Sequence, residues 1–200
     1  MEKDFEVIAF HASGACGSAM EELIASGLVQ GVLDLTTHEL VGEILGYDIY
    51  TPIRPRLEEA GKLGIPQVIA PGGLDYFCFG PPDSIPEQFC GRKTHYHNPY
   101  NTNVRTTKEE LAQVGEVLAE KLNRSRGPVA VMIPLKGWSE NGRYGGPLYD
   151  PETDAVLVEV LEKKLESRIR LVKIDANIND PIFAQRAASL MQELITESSQ

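Results

Sequence analysis

Thr106-Thr-Lys-Glu-Glu-Leu-Ala-Gln-Val-Gly-Glu-Val-Leu-Ala-Glu-Lys-Leu-Asn123, followed by Gly127-Pro-Val-Ala-Val-Met-Ile133, decides the fold. In the first part Leu111, Val114, Leu118 and Leu122 recur at three- and four-residue spacing, the signature of one buried helix face. Thr106 or Thr107 opens that helix, and Glu109 stands three residues after Thr106, a capping-box spacing. Gly127-Pro128 then breaks the chain. Val129–Ile133 is an unbroken apolar run too short for a helix of its own, as expected of a strand covered on both faces. A helix leading into a strand buried on both sides is the repeating unit of a parallel α/β sheet.

The same alternation extends both ways. Downstream, Asp150-Pro151-Glu152 starts a helix to about Ser167, with proline at its first position. Arg170–Asp175 is the next strand, and Asn179 or Asp180 caps a last helix from Pro181 to about Ile195, with a frayed tail beyond it. Upstream, Gln67–Ala70 and Gly31–Leu35 read as buried strands. Pro55–Leu63 is a helix closed by Gly64, and Thr36 or Thr37 caps a short helix to about Leu45. Ala19–Ser26 is a helix with Gly27 after it, and Val7–Phe10 is the first strand. Two stretches lack periodicity: Phe77–Val104, rich in proline and aromatics, and the glycine-rich Pro134–Tyr149, which has the composition of a lid. The expected architecture is an open, mostly parallel α/β sheet with helices on both faces, a Rossmann-like three-layer sandwich, in a single domain over residues 1–200.

Composition narrows the function classes. The 200 residues carry a formal net charge of −10, which speaks against general nucleic-acid or anionic-membrane binding. Cys16, Cys78 and Cys90 form no CxxC pair, so neither a zinc ribbon nor a redox motif is predicted, and free thiols suit a reducing compartment. With no signal-peptide pattern and no apolar stretch of about 18 residues, the expected location is the cytoplasm.

Open parallel sheets collect ligands at the C-terminal ends of their strands. After the first expected strand, Ser13, Gly14, Gly17 and Ser18 form a glycine turn at a helix N-terminus, a place that favours anions. Neither a Walker lysine nor a G-x-G-x-x-G spacing accompanies it. Thr36 and Thr37 follow the second strand, and Gly72 and Gly73 the third. Arg92, Arg105 and Thr106 supply charge-assisted donors for phosphate or carboxylate. His11, His38 and Asp75 are the candidate acid–base groups. His95 and His97 could start a metal site, but no third ligand stands at metal-site spacing, so no metal is predicted. The leading expectation is a domain that binds a nucleotide or another small anionic molecule at the sheet's C-terminal edge. The alternatives are a small-molecule hydrolase or other enzyme using His and Asp at that edge, and a subunit-interaction module.

Several segments, taken together, resemble a known family. They are His11-Ala-Ser-Gly-Ala-Cys-Gly-Ser-Ala-Met-Glu21, Asp34-Leu-Thr-Thr-His-Glu39, Gly64-Ile-Pro-Gln-Val68, Gly73-Leu-Asp75, His97-Asn-Pro99, Val104-Arg-Thr-Thr107, Asp150-Pro-Glu152 and Ile178-Asn-Asp-Pro-Ile-Phe-Ala184. In this order they resemble the C-terminal half of the Tm-one-like ATP-binding domain family, a group of mostly uncharacterised proteins. Ala15-Cys16 departs from the more glycine-rich turn of relatives. The resemblance implies a pair of α/β subdomains in full-length members and ATP as a ligand. A companion N-terminal subdomain, or a second copy of the chain, is the expected partner.

Overall fold

The structure, a computed structural model, describes residues 5–198. Its centre is a parallel sheet of β1 (Val32–Asp34), β2 (Gln67–Ile69), β6 (Val129–Pro134) and β7 (Arg170–Ile174), hydrogen-bonded in that order. Because side chains alternate along a strand, β6 serves two cores. Val129, Val131 and Ile133 face the helices α4 (Lys108–Asn123) and α5 (Pro151–Lys164). Ala130 and Met132 face α6 (Pro181–Ser198), against Phe183, Ala187, Leu190 and Met191. The expected α/β fold with a helix layer on each face is therefore present. Of the smaller helices, α1 (Ala15–Ala25) and α3 (Glu59–Leu63) pack with Val32 of β1, while α2 (Glu39–Leu45) packs into the core beneath α4.

Between β2 and α4 the chain builds a second, antiparallel sheet from β3 (Tyr76–Phe79), β4 (Thr94–Asn98) and β5 (Asn101–Arg105), in the order β3-β5-β4. This corrects the expectation of an irregular Phe77–Val104. The strands were hidden because β4 and β5 read Thr-His-Tyr-His-Asn and Asn-Thr-Asn-Val-Arg, sequences poor in apolar residues. Their ladder, not a hydrophobic pattern, makes them strands, while Phe77 stacks on Phe79 and Phe89 meets both rings edge-on.

The N-terminal strand expected at Val7–Phe10 is not formed. Val7 and Ile8 are exposed, and β1 is the edge strand of the sheet. The segment lies across a cleft from that edge. So short an apolar run becomes a strand only when it joins a ladder. Helix ends also differ from expectation. The box that caps α4 uses Thr107 and Glu110, not Thr106 and Glu109. Thr36 and Thr37 do not cap α2. The tail remains helical to Ser198, and residues 199–200 lie outside the described ones.

Candidate functional site

Four polar centres stand at the C-terminal end of the parallel strands. The first is the turn Ser13–Ser18. Gly14 has φ of 74°, a backbone that suits glycine, and its N–H donates to Oε1 of Glu39. A Cβ on Gly17 would run into the same carboxylate. The anion-accepting start of α1 thus holds a carboxylate of the protein itself. Ser18 is buried, donating to the Gly14 carbonyl and accepting from the Ile53 and Arg54 amides. It pins the segment that leads to α3.

Directly beneath lies Arg56, a residue the sequence reading passed over. Its Nε, Nη1 and Nη2 donate to Glu39 (2.6 Å), Glu21 (2.7 Å) and Asp34 (2.7 Å), and all four side chains are buried. Three carboxylates on one guanidinium leave negative charge in excess. Burial, reinforced by Glu21 and Glu39, outweighs Arg56 and pushes Asp34 up to about 6. No local motif joins the four, which come from α1, the end of β1, α2 and the loop before α3. The signal that could have found them is a charge at a position where helix periodicity calls for an apolar side chain, as at Glu21.

The third centre is built around His38, just past β1. Nδ1 lies 2.6 Å from the Gly73 carbonyl oxygen, and Nε2 lies 3.1 Å from Oδ2 of Asp48. A Cβ on Gly73 would press on the imidazole, so that glycine is needed for close packing. Asp48 also accepts from the Cys78 and Tyr50 amides, at 2.6 and 2.7 Å. Burial pulls His38 down, but Asp48 and Cys78 beside it hold it well above the ordinary imidazole value. Thr37 bonds the Ala70 carbonyl at 2.9 Å, tying the ends of β1 and β2 together. Gly72 packs against the Leu35 carbonyl and Thr36.

The fourth centre is Asp75, fully buried, whose Oδ2 accepts from Ser139 at 2.6 Å while Oδ1 has no partner. Burial raises its pKa against the pull of Ser139 and Arg105. Arg105 is buried as well, donating to the carbonyls of Asp75 and Asp150, to Thr106 Oγ1 and to Asp154. Thr106 in turn donates to the Leu74 carbonyl. Arg92 grips Glu110 with both Nη atoms and lies 4.5 Å over the Phe89 ring. Both arginines expected at an anion site are thus engaged inside the domain.

His95 and His97 lie apart from these centres on β4, their rings 6.1 Å apart. His11, Ser13, Cys16, Gly17 and Thr36 line one cleft of about 1130 Å³, together with Tyr50, Asp34, Glu39 and Arg56. Among the described residues no helix is long and apolar enough to cross a membrane.

Comparison with known proteins places this geometry in context. The model of the C-terminal domain of an uncharacterised protein family, UPF0261, matches residues 1–195. A UPF0261 protein of Clostridium tetani is 45% identical over 181 residues, covering 90% of the chain and 45% of the relative. A UPF0261 protein of Rhizobium meliloti is 37% identical over 97% of the chain and 49% of the relative. The ToMV resistance protein Tm-1(GCR237) of Solanum lycopersicum is 35% identical over 99% of the chain and 26% of the relative. The chain therefore spans half or less of the length of these curated relatives, matching the resemblance drawn from its motifs.

Proposed function

The chain belongs to the UPF0261 family, as its C-terminal domain, and on that premise we propose that it binds a nucleotide or another small anionic molecule at the C-terminal edge of its parallel sheet. One observation carries the reading. Ser13, Gly17 and Thr36, chosen from sequence as ligand contacts, share a single cleft with the start of α1, and that helix start already holds a carboxylate on the Gly14 amide. The cleft runs along the whole β1 edge, and its end at Ser13, Gly17 and Thr36 is the part that would take the anion. A phosphate entering there would compete with Glu39 for the helix N-terminus, with Ser13 and Thr36 as neutral hydroxyl partners.

Titration calorimetry with ATP, ADP and inorganic phosphate tests this on the chain alone and on the chain mixed with the N-terminal half of a relative, so that a companion half can take part. Binding should strengthen by about tenfold in Glu39→Gln, equivalent to roughly 1.4 kcal/mol, because the competing charge is gone. It should weaken in Ser13→Ala. Absence of binding by both the chain and the two-half mixture would sink the proposal. Acid–base chemistry is the second reading, favoured by one feature: Asp75 is buried with Oδ1 unpartnered and its pKa raised. Loss of any turnover in Asp75→Asn, with binding retained, would favour it.

A further inference from the structure

We propose that His38, Asp48 and Cys78 form a binding site for one divalent cation of zinc's class. An imidazole nitrogen, a carboxylate oxygen and a thiol sulfur all lie within 4.8 Å of one another, and all three residues are buried. Nitrogen, oxygen and sulfur donors in one set suit a borderline-soft ion such as zinc, whereas calcium and magnesium take oxygens. Metal–ligand lengths of about 2.0–2.3 Å place tetrahedral ligand atoms roughly 3.3–3.8 Å apart. The nitrogen and oxygen here are 3.1 Å apart and the sulfur lies within 4.8 Å of them, so the movement that closes the site on a cation falls mainly on the sulfur.

A second, separate observation points to a ligand. Nε2 of His38 is buried and forms no hydrogen bond, although Oδ2 of Asp48 faces it as an ion-pair partner at 3.1 Å. A buried nitrogen without a hydrogen bond is a position where coordination to an ion is favourable.

The surroundings are those of a metal site. A ligating histidine commonly donates its other ring N–H to a backbone carbonyl, and ligating carboxylates are themselves hydrogen-bonded. Here Nδ1 meets the Gly73 carbonyl at 2.6 Å, and the far oxygen of Asp48 accepts the Tyr50 amide at 2.7 Å. Nδ2 of Asn103 donates to the Cys78 sulfur at 3.2 Å, which fixes the position of the sulfur. The charge of the donor set also suits a dication, since metal ligands bind deprotonated and a neutral imidazole, a carboxylate and a thiolate together carry two negative charges. Three protein ligands leave a fourth tetrahedral position for water or a ligand atom, as in catalytic rather than structural zinc sites. The proposal is independent of anion binding at the α1 turn, with which it shares no ligand.

Cobalt(II) titration of the full 200-residue chain, purified free of metal, tests it. The expected result is one equivalent bound, with a near-ultraviolet thiolate-to-cobalt charge-transfer band that zinc abolishes in competition. The band should persist in the Cys16→Ser/Cys90→Ser double variant, which leaves Cys78 as its one thiol. It should vanish in Cys78→Ser. His38→Gln and Asp48→Asn should weaken binding by at least the roughly tenfold that loss of an outer partner costs. Absence of the band from the Cys16→Ser/Cys90→Ser variant, or its survival in Cys78→Ser, overturns the proposal. Because that double variant leaves the three ligands untouched, a fold defect in the other variants cannot obscure the answer.

Discussion

The backbone N–H of Gly14 donates to the carboxylate of Glu39, so the helix start that the sequence offers to an anion is filled by a side chain 25 residues away. Gly17, one turn into α1, has no room for a methyl group because that carboxylate lies against it. Alanine is the better helix former by about 1 kcal/mol, yet Gly17→Ala should destabilise the domain by about 1–3 kcal/mol, the usual cost of overpacking. Urea denaturation of Gly17→Ala, Glu39→Ala and the double variant checks the mechanism. The penalty of Gly17→Ala should shrink when Glu39 is already gone.

Arg56 is held by three carboxylates at once. Removing one partner of a buried ion pair costs about 3–5 kcal/mol, because the remaining charge is stranded, and here three would be stranded. Arg56→Met should therefore be severely destabilised or fail to fold. Arg56→Lys keeps the charge but loses the planar fork, so it should fall between Arg56→Met and wild type. Adding Asp34→Asn to Arg56→Met should restore part of the loss, read as a rise in Tm.

These centres also mark how far the sequence could be read. The continuous apolar runs at Val68–Ala70 and Val129–Ile133 announced a sheet covered on both faces, because burial on two sides is what consecutive apolar residues require. Asp150 before Pro151 announced α5, and its side chain does accept the Thr153 amide. Gly64 closes α3 with φ of 73°, as its position implied. By contrast, Arg56, Asp48 and Ser139 carry no local signal. Their roles come from contacts across 17 to 64 residues, and no spacing rule reaches so far. The same holds for Arg92 and Arg105. Their charge suggested a ligand, but Glu110 and Asp154, which pair with them, sit on helices whose docking is set by the whole fold.

Asp154 makes a prediction about pH. Its pKa is pushed up to about 7, because burial, reinforced by Asp75 and Asp150, outweighs the attraction of Arg105. Between the unfolded value of 3.8 and about 7, the folded state holds a proton that the unfolded state has released. Stability must then fall as pH rises through that window. Asp154→Asn cannot release a proton, so its stability relative to wild type should grow between pH 4 and 7 and level off above. The difference should approach about 4 kcal/mol, since each pH unit across the window contributes about 1.4 kcal/mol. Urea midpoints of both proteins across that range supply the test, and a difference independent of pH would contradict the assignment.

The Val7–Phe10 segment and strand β6 should sit at opposite ends of the domain's stability scale. Hydrogen exchange reports local opening, which is easy where backbone groups face solvent and hard where a strand is paired and buried on both sides. Val7 and Ile8 are exposed and in no ladder, whereas Val129–Pro134 is buried throughout and paired with β2 and β7. In the isolated chain, the amides of residues 7–10 should exchange at nearly the rate of free peptide. Those of Val131 and Met132 should exchange only through global unfolding. The β1 edge gives the finer distinction. Val32 donates inward to the Pro66 carbonyl and Ala70 to the Asp34 carbonyl, so β1 is fastened to β2 alone. Its amides should show intermediate protection. If residues 7–10 were instead protected as strongly as β1, they would have closed the cleft as a fifth strand, and the anion site proposed there would have to lie elsewhere.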